Sequence, residues 1–202
     1  MLKKALAAVL VGWSSFAVAQ ARLDLSIGAA AVFSKSSTSS TGSLTLDPTN
    51  SVAEFGSVRW HFNRKHGIEL NIGHASDSQF FTLPPNDFRI RTDIYEYSGD
   101  YVFSPIRTRR FSPFLLAGAG ALRFNPGSTY IDGSLSLFPV KNQTAIALLY
   151  GAGTDYHLWR IFSARLQYRG LIYKNPDFGQ PNLATHAKGH LAEPAVGIVV
   201  KF

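Results

Sequence analysis

The chain has 202 residues, no cysteine and a formal net charge of +7. Its length suits one domain, and the missing cysteines exclude a disulfide framework and thiolate chemistry. Only 16% of residues are charged while 13% are aromatic, yet no stretch after the first nineteen residues is apolar enough for a membrane-spanning helix.

The first element is a leader. Lys3 and Lys4 form a positive region, an apolar run follows from Ala5 to Gly12, and Ala17-Val18-Ala19 makes a small-residue cleavage site. This is the pattern of a secretory signal peptide over residues 1–19, so residues 20–202 are expected to form the folded domain.

Eight segments with a period of two follow. In residues 22–33, Leu23, Leu25, Ile27, Ala29, Ala31 and Phe33 oppose Asp24, Ser26, Gly28 and Ala30. In 52–62, Val58, Trp60 and Phe62 oppose Ser57, Arg59 and His61. In 68–76, Ile68, Leu70 and Ile72 oppose Glu69, Asn71 and Gly73. In 90–103, Tyr95, Tyr97, Tyr101 and Phe103 oppose Glu96, Ser98 and Asp100. In 113–124, Phe114, Leu116, Leu122 and Phe124 oppose Ala117, Ala119, Ala121 and Arg123. In 144–158, Ile146, Leu148, Tyr150, Tyr156 and Leu158 oppose Gly151, Gly153 and Asp155. In 163–173, Leu166, Tyr168 and Ile172 oppose Arg165, Gln167 and Arg169. The last segment, 192–202, sets Val196, Ile198, Val200 and Phe202 against Glu193, Gly197 and Lys201. Strict alternation repeated this often predicts β-strands.

The connections alternate as well. Residues 63–67, 104–112 and 159–162 are short. Residues 34–50, 75–89, 125–143 and 174–189 are long and rich in Ser, Thr, Asn, Pro and Gly. All long loops then lie at one end of an up-and-down sheet, as in transmembrane barrels. The predicted fold is all-β: an eight-stranded antiparallel barrel with its apolar face turned to lipid. The polar face carries both signs in near balance, Asp24, Glu69, Glu96, Asp100, Asp155 and Glu193 against Arg59, Arg123, Arg165, Arg169 and Lys201. These charges are expected to pair inside a filled lumen, because an unpaired charge there is expensive.

On this pattern the chain resembles the small eight-stranded outer-membrane β-barrel proteins, the class that holds the OmpA transmembrane domain and OmpX. The resemblance covers residues 20–202 and is sharpest at Gly197, Val200 and Phe202. It implies that these residues are an assembly signal read by the barrel-assembly machinery, although Ala195 stands where a polar residue is usual. It also implies an integral Gram-negative outer-membrane location, contact with outer-membrane lipids and a monomeric barrel. The sequence ends with the eighth strand, so the peptidoglycan-binding domain that follows the OmpA barrel is not expected.

The short turns hold Arg64, Lys65, Arg107, Arg109, Arg110 and Arg160 and no acid. They suit the anionic headgroups of the periplasmic leaflet, at about 1 kcal/mol per cation. No basic groove or known module points to nucleic acid. The runs Ala117–Ala121 and Gly151–Gly153 lack the Lys-Ser/Thr pair of a phosphate loop and suit a narrow barrel better. His186 and His190 have an i,i+4 spacing off any helix, so no metal site and no cofactor are expected.

One constellation suggests chemistry. His74 and Ser76 share the outward frame near the loop end, with Asp93 outward on the next strand. The pair resembles the His-x-Ser of lipid A deacylases, which implies ester cleavage on the outer surface; the family's acid is Glu, and here it is Asp. The leading expectation is a structural or surface-interaction role through four extracellular loops. An outer-leaflet lipid-modifying enzyme and a narrow solute pore are the alternatives.

Overall fold

A computed structural model describes residues 22–202; the expected signal peptide lies outside the described residues. The strands are β1 (Arg22–Ser34), β2 (Ser37–Thr38), β3 (Thr45–Pro48), β4 (Ser51–His61), β5 (His66–Leu83), β6 (Asn86–Phe103), β7 (Phe111–Ile131), β8 (Ser134–Ser136), β9 (Gln143–Trp159), β10 (Phe162–Lys174) and β11 (Lys188–Lys201). Eight long strands pair in the antiparallel ring β1-β4-β5-β6-β7-β9-β10-β11, which β11 closes onto β1. Closure gives every ladder group a partner, which lipid cannot supply at a sheet edge.

The register fixes the slant of the strands. The pairings that begin at Leu25 run through Val58, Leu70, Gly99, Ala119, Leu148 and Ile172 to His190, whereas Leu25 itself pairs with Val200. One circuit therefore climbs ten residues along β11. Eight strands with this stagger leave an interior just wide enough for side chains.

The outward frame holds Leu25, Ile27, Val58, Leu70, Ile72, Ile146, Leu148, Leu166, Val196 and Ile198, all exposed. Aromatic side chains ring the short-turn end, with Trp60 and Phe62 edge-to-face at 5.3 Å and Phe111 against Tyr156 at 5.0 Å. This is the girdle position of a transmembrane barrel.

Two expectations change. The region 75–89 is not a loop: β5 and β6 pair from His66–Phe103 to Leu83–Asn86 and turn at Pro84-Pro85. Its inward residues Asp77, Gln79 and Phe81 are buried beneath other loops, so the ladder gains a second core beyond the lipid belt. Likewise β7 runs on to Ile131 and turns into β8 at Asp132-Gly133, both at positive φ. That Asp-Gly pair suits the two-residue hairpin turn that needs left-handed residues.

The second change is the frame of β7. Phe114, Leu116, Leu122 and Phe124 face inward and are buried, whereas Ala117, Ala119 and Arg123 are exposed. Both faces of this strand are apolar enough for lipid, so contrast between them does not decide the frame. Register does. Gly118 lies opposite Asp100 and Gly120 opposite Ser98, and those partners face inward, where only glycine leaves room for them.

The interior has two layers. Toward the short turns it is charged. Toward the long loops it is apolar, built from Val32, Phe81, Ile94, Leu122, Phe124, Leu149, Leu171 and Tyr173. Leu44 and Leu46 of the first long loop and Phe178 and Leu183 of the last one drop into this upper layer, at most 4% exposed.

Candidate functional site

The lower layer centres on two arginines. Arg165 donates through Nε to Asp155 Oδ1 at 2.7 Å and through Nη1 to Glu69 Oε2 at 2.8 Å. Arg59 Nε donates to the same Glu69 oxygen at 2.7 Å. Alternation on β4, β5, β9 and β10 brings these four side chains into one plane. Phe114 lies beside them, its ring centroid 4.1 Å from the Arg59 guanidinium carbon and 5.2 Å from that of Arg165. This cation–π contact explains why a strand with an aromatic inward face is accommodated among charges.

Above this plane Arg169 bonds Glu96 and stands 3.6 Å from Glu193. Asn71 Nδ2 donates to Asp100 Oδ2 at 2.6 Å, and Ser98 Oγ donates to Glu96 Oε1 at 2.8 Å. Below it His61 Nε2 meets Asp24 Oδ2 at 2.8 Å, and Arg107 of the β6–β7 turn donates to His61 Nδ1 at 2.8 Å. Neither His61 nor Arg107 stood among the expected lumen charges. Inward placement of His61 was readable from its frame with Arg59; the turn arginine folding into the mouth was not. Lys201 sits half-exposed at that mouth, its Nζ 3.1 Å from Asp155 Oδ2.

Arg123 is the correction in this set. It is exposed on the outer face because β7 turns its apolar residues inward, and its Nε donates to Asn125 Oδ1 at 3.2 Å.

A cavity of about 20 Å³ remains where the two layers meet, beside Glu96, Arg169 and Glu193. That is room for about one water molecule, since roughly 10–15 Å³ is the least that holds one.

The cap over the upper layer is cross-braced. The Asp177 and Phe178 N–H groups both donate to Gln143 Oε1 at 2.9 Å, and Lys141 N donates to Phe178 O at 3.0 Å. Thr49 and Ser78 exchange two bonds at 2.9 Å, and β3 pairs with the upper part of β5. Beneath it, Asp77 lies above the membrane-spanning part of β5. Burial pushes its carboxyl up to about 6; the hydrogen bond from Gln79 Nε2 opposes this and the charge of Asp93 adds to it. A folded-state pKa above the unfolded value near 3.9 contributes stability at low pH that is lost as pH rises through 6. Asp77→Asn should therefore be more stable than the parent at pH 8 by roughly 3 kcal/mol and nearly equal to it at pH 4. Urea unfolding in detergent micelles at the two pH values measures this; an equal gain at both would locate the effect elsewhere.

In the outward constellation the serine is bonded to the acid and not to the histidine. Ser76 Oγ donates to Asp93 Oδ1 at 2.5 Å. His74 instead lies between Glu54, 3.5 Å from Nδ1, and Asp93, 3.9 Å from Nε2, and stacks on Tyr95 at 4.9 Å. A nucleophile is activated when its base takes its hydroxyl proton; here that proton is given to Asp93. The sequence reading missed Glu54, which shares the outward frame of Val58 and Trp60 and was readable from it.

Gly197 lies opposite Gly28 across the closing seam, Val200 opposite Leu25, and the Phe202 N–H donates to Leu23 O at 2.8 Å. A Cβ on Gly28 would stand 2.3 Å from Val196 O, so this seam closes only on glycine.

The sequence profile of the outer membrane protein beta-barrel domain matches residues 5–189. No curated protein matches the chain. Among solved structures it is similar to Ail, the attachment invasion locus protein of Yersinia pestis, in complex with the heparin analogue sucrose octasulfate: 17% identity over 91% of this chain and 100% of that one, with a TM-score of 0.56. Neisserial surface protein A is similar at 18% identity, covering 89% and 97%, with a TM-score of 0.57. The outer membrane protein OprG from Pseudomonas aeruginosa matches at 16% identity, covering 90% and 96%, with a TM-score of 0.64. At these identities the likeness is one of fold.

Proposed function

The chain belongs to the outer membrane protein β-barrel domain family, and on that premise we propose a surface-interaction role exercised by its extracellular cap over a closed lumen. It is an integral protein of the Gram-negative outer membrane, in contact with lipid. The observation that carries the proposal is the cap itself. Leu44, Leu46, Phe178 and Leu183 seal the mouth, and the hairpins β5–β6 and β7–β8 continue the sheet past the lipid belt. A barrel shaped only to anchor itself has no need of that second core.

A cleft of about 510 Å³ opens on the outside of this extension. Thr49, Ser78, Arg89, Arg91 and Ser128 line it together with Asp77 and Asp93. The Arg89 guanidinium donates to Ser78 Oγ at 3.3 Å and lies 5.3 Å from the Phe80 ring. Two arginine forks among hydroxyls suit a sulfated or phosphorylated saccharide, and the Ail structure carries a sulfated saccharide analogue.

Two measurements test the reading. The barrel in detergent micelles should bind sucrose octasulfate by calorimetry, and Arg89→Gln with Arg91→Gln should weaken binding about tenfold or more, from two lost charge-assisted contacts. Absence of binding, or binding untouched by the double variant, would remove the cleft from the proposal. In planar bilayers the protein should give no steady conductance. A stable porin-like step would overturn the closed lumen and leave the pore reading in its place.

A further inference from the structure

At the extracellular rim, β10 ends on Lys174 and β11 begins on Lys188, and the two are direct cross-strand partners. Lys35 joins them from the end of β1. Its N–H donates to His190 O at 3.0 Å, two residues along β11 from Lys188. All three lysines are exposed. Like charges set opposite each other destabilise a ladder, and the chain does not offset them. Among the described residues none of the three lysines forms an ion pair. The carboxylates of the adjoining loops are engaged elsewhere: Asp47 accepts from Ser36 Oγ, and Asp177 Oδ1 accepts from the Gly179 N–H at 2.9 Å.

Directly beneath the cations the outer face is apolar. Lys35 stands two residues beyond Phe33, and Lys174 two residues beyond Ile172, both exposed to lipid. Tyr150, Gly170, Ala192 and Phe33 form one row across β9, β10, β11 and β1. Tyr150 lies across Gly170, where a Cβ would stand 2.4 Å from its ring. Its hydroxyl thereby reaches over β10 to His190 Nε2 on β11, at 2.9 Å. The ring is pinned against the barrel, and Ala192 leaves a trough between it and Phe33. Pro194 and Ala31 continue that trough toward the middle of the belt.

We propose that this rim seats one molecule of lipid A, the acylated and phosphorylated disaccharide of the outer leaflet. A phosphate monoester lies among Lys35, Lys174 and Lys188, and an acyl chain descends the trough between Phe33 and Tyr150. The leaflet is set by the long loops, which place the three lysines at the extracellular end. The charge is set by the lysines themselves. A phosphate monoester carries about −1.5 to −2 at neutral pH, more than the phosphodiester of a glycerophospholipid. Ammonium groups on flexible stems can converge on it from three strands without the fixed geometry an arginine fork demands. The seat lies on β1, β10 and β11, away from the Arg89–Arg91 cleft, so either can fail without the other.

The test is native mass spectrometry of the barrel released from detergent micelles, with magnesium chelated. Lipid A should bind about tenfold or more tightly than phosphatidylglycerol or lipid A stripped of its phosphates, the worth of one or two charge-assisted contacts. Lys174→Gln with Lys188→Gln should erase that margin. Inorganic phosphate should not displace the lipid, because the trough holds its chain. Urea unfolding separates a lost ligand from a lost fold. Without lipid A the double variant should be at least as stable as the parent, since a like-charge pair is gone; with lipid A the parent alone should gain. Equal binding of all three lipids to the parent, or a margin that survives the double variant, would overturn the proposal. So would displacement by inorganic phosphate, binding that requires magnesium, or a double variant less stable than the parent without lipid, which would give the lysines to the fold.

Discussion

Replacing Arg165 with methionine should cost about 3–5 kcal/mol of unfolding free energy, the range seen when one partner of a buried ion pair is removed. Arg165 is buried and makes three bonds, to Asp155 at 2.7 and 3.2 Å and to Glu69 at 2.8 Å. Its loss leaves Asp155 with Lys201 at the mouth and with Arg59 at 4.0 Å, and Glu69 with Arg59 alone. Removing Asp155 as well, by Asp155→Leu, should cost less than the two single losses added, since neither charge is then stranded. Arg123→Met provides the contrast. Arg123 faces outward and should cost within about 0.5 kcal/mol, as exposed substitutions do. Urea unfolding in micelles measures the three single variants, the double variant and the parent. A loss below about 1 kcal/mol for Arg165→Met would mean that solvent reaches the pair.

Gly118→Val should abolish folding while Ala117→Val leaves it intact. A Cβ at Gly118 would stand 2.1 Å from Gly99 O and 2.3 Å from Asp100 Oδ1. The first is backbone of the paired strand, so the β6–β7 ladder would have to open, and in lipid an opened ladder strands polar groups at several kcal/mol each. Ala117 is exposed on the lipid face, where a β-branched residue suits a strand. Refolding from urea, followed by heat-modifiable mobility, separates the two. The reverse outcome would restore the frame in which Ala117 and Arg123 face the lumen.

Much of the fold was legible because strand alternation is local. Every barrel strand except β7 declares its two faces within a few residues, as Asp24 and Ser26 do against Leu25 and Ile27. Loop lengths declare the two ends of the barrel in the same way. The aromatic girdle and the basic short turns follow from positions in single strands. By itself, then, the sequence determined the number of strands, the lipid-facing belt, and most of the charges that meet inside.

What remained belongs to the barrel as a whole. The frame of β7 could not be read from β7, since Leu115 and Ala117 suit lipid as well as Leu116 suits the lumen; the pairing of Gly118 with Asp100 decides it. The hairpin at Pro84-Pro85 reads as a loop because its Ser, Asp and Pro residues break the alternation around Phe80, Phe81 and Phe88, and only Phe178, Leu183 and Leu46 from distant loops make its inward face a core. Lys174 and Lys188 become a pair only when the register sets them opposite each other. In each case the deciding neighbour comes from another strand or loop, set by register and stagger. Period-two alternation carries no information about those, because it records the faces of a strand and not the side chains opposite them.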